Sequence, residues 1–163
     1  MSIKEQFSAQ EWSTLLSAPM MAGNAVVAAD PSGPIGLVKE LGALAGTLAK
    51  AANESSGNAL VQALLAEIKS AAEEGERPEL PKPDARDIAG FKQQALEIVA
   101  EAVALVDAKV GADVARGYKE FILSMGQKAA EAAKEGGFLG FGGTLVSEDE
   151  QAMLSQLKTT LGL

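Results

Sequence analysis

Apolar side chains recur along this chain at intervals of three and four residues, the period of an amphipathic helix. Ser8-Ala-Gln-Glu11 has capping-box spacing, in which the serine hydroxyl and the glutamate carboxylate each accept from a backbone N–H at a helix start. A helix is expected from there, carrying Trp12, Leu15, Leu16 and Met20 on one face. Pro19 has no N–H to bond four residues back, so a kink or break is expected near Ser17. The apolar run Met20 to Ala29 then meets Asp30-Pro-Ser-Gly-Pro34, a loop sequence.

The spacing of Leu37, Leu41, Leu44 and Leu48 predicts a second helix from Ile35 to about Ala52, stopped by Asn53-Glu-Ser-Ser-Gly57. A third is expected from about Asn58 to Glu74, presenting Leu60, Val61, Leu64, Leu65 and Ile68, with Gly75 as its C-cap. Charged residues and three prolines, Pro78, Pro81 and Pro83, mark an exposed connector at about 75–84 between two helical halves. Asp84 is expected to cap a long helix with the stripe Ile88, Phe91, Ala95, Val99, Ala102, Val106 and Val110, which Gly111 bends or ends. A helix from about Ala112 to Lys134 carries Val114, Tyr118, Phe121, Ile122 and Met125. Ser147-Glu-Asp-Glu150 repeats the capping-box spacing and opens a last helix with Met153, Leu154, Leu157 and Leu161 inward.

These elements give an all-α fold, a compact bundle or array of six or seven helices forming a single domain over residues 1–163. The one extended candidate, Thr144 to Val146, is too short to count as a strand. A gapless shift aligns Leu16 with Leu96, Ala22 with Ala102, Val26 with Val106 and Lys39-Glu40 with Lys119-Glu120, and raises the question of an internal duplication.

Composition narrows the function classes. Apolar residues make up 47% of the chain but aromatics only 4%, so the helices are rich in small side chains that pack closely. The net charge is -8 and the lysines are scattered singly, which argues against nucleic acid and anionic membrane as partners. The opening Met1-Ser-Ile-Lys-Glu-Gln-Phe7 is charged where a secretory signal needs an apolar core, and cysteine is absent. A cytoplasmic setting is expected.

The chain also has no histidine. Ser-His-Asp and Cys-His catalysis, Cys or His zinc sites and the Glu-x-x-His ligands of ferritin-like di-iron bundles are therefore excluded within it. Carboxylate, lysine, tyrosine and serine chemistry remains. Glu97 and Glu101, one turn apart, lie opposite the apolar stripe and read as a solvated face. Glu148-Asp-Glu150 suits the first turn of a helix by its dipole.

Gly136-Gly-Phe-Leu-Gly-Phe-Gly-Gly143 lacks the Gly-Lys-Ser/Thr ending of a phosphate loop and reads instead as a loop inserting Phe138, Leu139 and Phe141 into an apolar groove, its own or a partner's. Gly42 and Gly46, at Gly-x-x-x-Gly spacing, admit a second helix backbone at close range. Catalytic, cofactor and metal residues are not assigned. The candidate interface is Phe138, Leu139, Phe141, Gly42 and Gly46.

The stretch Gly142-Gly-Thr-Leu-Val-Ser-Glu-Asp-Glu-Gln-Ala-Met-Leu-Ser-Gln-Leu157 resembles the turn-then-helix of TerB-like tellurite-resistance proteins. The resemblance implies an all-helical fold with a metal-linked acidic surface, although Gly140-Phe-Gly-Gly143 stands where that family has acids. Through Phe7-Ser-Ala-Gln-Glu-Trp12, Ala29-Asp-Pro-Ser-Gly33 and the Gly/Phe segment, the chain also resembles small bacterial proteins of unknown function. That resemblance implies a fold and no activity. Three readings follow: a non-enzymatic helical protein acting through protein contacts as a homodimer, a small-molecule or divalent-metal-binding domain using buried carboxylates such as Asp30 or Asp107, or an enzyme using a carboxylate or a lysine.

Overall fold

In the computed structural model, the residues described are 2–30, 48, 53–54, 57–76, 79–84, 86–135 and 146–163. Ser8 caps the first helix as its spacing requires. Its Oγ accepts from the Glu11 N–H at 3.2 Å, and Glu11 Oε2 accepts from the Ser8 N–H at 2.7 Å. Helix α1, Ala9–Ala29, then runs unbroken through Pro19, so of the kink or break expected near Ser17 the break does not occur. The lost bond is the one to the Leu15 carbonyl, and the Tyr118 hydroxyl donates to that oxygen at 2.8 Å. A donor from another helix thus replaces the missing amide.

Trp12, Leu15, Ala18 and Pro19 are buried along one side of α1, whereas every residue from Met21 to Ala29 is buried. A helix buried all round is a core helix. Around it lie α2 (Ala59–Glu73), α3 (Ile88–Lys109), α4 (Ala112–Glu135) and α5 (Glu148–Leu161), with a short 3-10 helix, Ile3–Gln6, ahead of it. Its most extensive contacts are with α4 and α3, and α5 packs on all three.

The centres of the expected apolar faces are buried, and Leu65, Ile68, Ile88, Val110, Val114 and Leu154 at their margins are partly buried. Leu60, Val61 and Leu64 of α2 are buried, as are Phe91, Ala95, Val99, Ala102 and Val106 of α3. Tyr118, Phe121, Ile122 and Met125 of α4 and Met153, Leu157 and Leu161 of α5 complete one continuous core. Burying each Val, Leu, Ile, Phe or Met side chain among these contributes about 1.5–3 kcal/mol, so this core dominates the stability. Gly126 lies where α1, α4 and α5 converge: a Cβ there would sit 3.2 Å from Leu154 Cδ2 and Leu157 Cδ1 and 3.4 Å from Val26 Cγ2.

The helix ends have local causes. After α2, Gly75 takes φ +77°, the Gly75 N–H donates to the Ala72 carbonyl and the Glu76 N–H to that of Ala71, which is a Schellman stop. The cap of α3 is Asp87, not Asp84: Asp87 Oδ1 accepts from the Gly90 N–H at 2.9 Å, while Asp84 Oδ1 accepts from the Arg86 N–H at 2.8 Å in the preceding turn. Both carboxylates have the right chemistry; the extra turn moves the start by three residues. Val110 and Gly111 separate α3 from α4. In the connector, Glu79, Lys82 and Asp84 are exposed, but Leu80 packs against the core.

Among the described residues there is no strand. Five α-helices are described rather than six or seven, because the second expected helix falls almost wholly outside the described residues. Leu48 is helical and packs on the core, and Asn53 and Glu54 are helical within the stretch read as a stop.

Candidate functional site

The candidate interface residues Gly42, Gly46, Phe138, Leu139 and Phe141 lie outside the described residues. Among the described ones, polar side chains converge in three places.

The first surrounds Trp12. Glu67, projecting from α2, accepts with its Oε2 from the indole Nε1–H at 2.7 Å and from Lys4 Nζ at 2.6 Å. Lys4 Nζ also stands 5.5 Å from the centre of the Trp12 ring, and Phe7 packs tilted against that ring at 6.0 Å. From the last turn of α3, Lys109 Nζ pairs with Glu11 Oε2 at 2.7 Å, donates to the Gln6 carbonyl at 3.3 Å and lies 5.7 Å from the Phe7 ring centre. The Lys109 ammonium, followed by the Ser8 N–H, holds the Glu11 carboxyl below its ordinary pKa. The cluster joins the 3-10 helix, α1, α2 and α3.

The second is the Tyr118–Leu15 contact. Both residues are fully buried, and burial pushes the phenol pKa well up, so the hydroxyl stays protonated and serves as a donor.

The third is an open cleft of about 450 Å³ lined by Glu54, Asn58, Asp113, Gly117, Glu120 and Ser124, among others. Asn58 Oδ1 caps α2 by accepting from the Val61 N–H at 3.0 Å, and its Nδ2 donates to the Val114 carbonyl of α4 at 2.9 Å. A Cβ on Gly117 would overlap that amide, so the glycine leaves room for the cap. Glu54 pairs with Lys128 at 2.8 Å and Glu120 with Arg116 at 2.9 Å. Two of the three carboxylates lining the cleft thus already face cations.

The carboxylates singled out by sequence are not gathered. Glu97 and Glu101 are exposed, accepting from Gln93 Nε2 at 3.2 Å and Thr14 Oγ1 at 3.4 Å. Asp107, expected to be buried, is half exposed and pairs with Lys119 at 2.7 Å, because it follows Val106 on the outer side of α3. Asp30 is partly buried at the end of α1. Glu148 and Asp149 are exposed, while the buried Glu150 closes its capping box by accepting from the Ser147 N–H at 2.9 Å. Among the described residues, no group of three or more carboxylates is placed to hold a metal ion.

Sequence reasoning missed Glu67, Asn58 and the Tyr118 hydroxyl. Pro19 does announce an orphaned carbonyl at residue 15, but its donor lies a hundred residues away in sequence. Glu67 carries no local signal that it meets Trp12.

No protein-family model matches this chain, and neither a curated protein nor a solved structure matches it.

Proposed function

We propose that this chain is a non-enzymatic helical protein that acts through protein contacts, by self-association as a homodimer. The observation that carries the reading is where the chemistry-bearing side chains go. Glu67, Tyr118, Asn58, Lys109 and Glu150 are each engaged in holding one helix to another or in closing a helix end. A catalytic group needs to reach a substrate atom, and these reach the protein's own backbone and side chains.

Among the described large hydrophobic residues, Leu163, at 37%, is the one exposed. Apolar area for a contact is therefore sought in the remaining sequence, where Phe138, Leu139 and Phe141 stand among glycines, and Gly42 and Gly46 suit a close helix crossing. A cytoplasmic setting belongs to the same proposal, supported by the lack of cysteine and by the finding that no described helix is long and apolar enough to cross a membrane. So does the exclusion of nucleic acid, on a net charge of -8.

Two related halves are also proposed. Ala22 and Ala102, and Val26 and Val106, are aligned by the shift and buried at equivalent places in α1 and α3.

The test is sedimentation of the wild type beside the double variant Phe138→Ser, Phe141→Ser. The expected result is weaker association with helicity retained. Unchanged association and stability would overturn this choice of interface.

A further inference from the structure

We propose that the segment Ser2–Phe7 is a charge-latched strap that opens separately from the helical core, with Glu67 as its latch. Its backbone bonds are internal: the Glu5 N–H donates to the Ser2 carbonyl at 3.1 Å and the Phe7 N–H to that of Lys4 at 3.0 Å. Glu5 Oε2 accepts from the Ser2 N–H at 2.6 Å, closing the strap's own capping box. Phe7, which joins it to the Ser8 cap of α1, is extended, so rotation about the Phe7 Cα–C bond moves the strap as a unit and breaks no helical or capping hydrogen bond.

Side chains hold the strap down. Lys4 reaches Glu67, Lys109 reaches the Gln6 carbonyl and the Phe7 ring, Ile3 is half buried and Phe7 lies against Trp12. The charged groups around the latch are Lys4 and Glu5 on the strap, Glu11 on α1, Glu67 on α2 and Lys109 on α3. Glu67 Oε2 is shared between Lys4 and the Trp12 indole, so one carboxylate couples the strap to the ring beneath it. Lys4 is more than half exposed, at 54%, and salt screens such a pair readily. Segments with few buried contacts and solvent-exposed bonds open at lower cost than the core. Opening uncovers Trp12 and the inner face of Phe7, together with the carboxylate of Glu67.

Trp12 is the sole tryptophan and reports the strap directly. The test is acrylamide quenching of Trp12 in the full chain, read with far-UV circular dichroism on the same samples. In the wild type, added salt should raise quenching while helicity holds. Glu67→Gln and Lys4→Met should each show the raised quenching already at low salt, with a smaller further response. Wild-type quenching that ignores salt overturns the latch. So does either variant keeping the low-salt wild-type value, or quenching that rises only as helicity is lost.

Discussion

Replacing Tyr118 with Phe removes one hydroxyl and leaves the ring that fills the core. The consequence falls on the Leu15 carbonyl, which Pro19 deprives of its helical donor and which the hydroxyl meets at 2.8 Å. Both residues are fully buried, so water does not take over the bond. A buried acceptor left without a donor costs about 1–3 kcal/mol. For a domain of this size, that lowers Tm by about 2–4 °C for each kcal/mol. The decisive comparison is made in a Pro19→Ala background. Alanine restores an N–H four residues on from Leu15, so the carbonyl keeps a donor when the hydroxyl goes, and the loss should fall to the net worth of one hydrogen bond, about 0.5–1.5 kcal/mol or less. Urea unfolding of the four proteins in the cycle, followed by circular dichroism, measures the difference. If Tyr118→Phe costs the same in both backgrounds to within about 0.5 kcal/mol, the hydroxyl is not the substitute for the missing amide, and the explanation of the unbroken α1 fails.

Three further outcomes follow from the packing and the charges. Gly117→Ala should displace the Asn58 amide and cost about 1 kcal/mol through the lost cap of α2, yet stabilise by up to about 1 kcal/mol in an Asn58→Ala background, where only helix propensity remains; unfolding of the paired variants would expose an unchanged sign. Gly126→Ala should be close to neutral because the leucine methyls 3.2 Å away can give slightly, whereas Gly126→Val should cost about 1–3 kcal/mol by overpacking the convergence of α1, α4 and α5, readable as a fall in Tm. The Glu11 carboxyl is held below its ordinary value of 4.5, so its contribution is present above that pH and is lost as pH falls through the lower folded value. Glu11→Gln should therefore flatten the acid limb of the stability curve, and an acid limb identical to that of the wild type would contradict the pairing with Lys109.

The helical class was legible because apolar side chains recur at intervals of three and four residues along the elements, and because Ser8–Glu11 and Ser147–Glu150 carry both halves of a capping box. Local chemistry decides those features. Where two residues had equal chemistry, the sequence was ambiguous, as at Asp84 and Asp87. Where the deciding group is distant, it was silent. Pro19 predicts a break unless some donor reaches residue 15, and the donor is set by how α4 packs across α1. The same holds for Glu67: its place on α2 says nothing of Trp12 until the strap and three helices come together. The candidate interface rests on glycine and phenylalanine spacing alone, and those residues fall outside the described ones.

The claim that the protein works by self-association is tested most directly by the mass of the untouched chain in solution. Sedimentation equilibrium over a broad concentration range should show the weight-average mass rising from the 16.7 kDa of one chain toward twice that value. A mass that stays at one chain throughout would contradict the account.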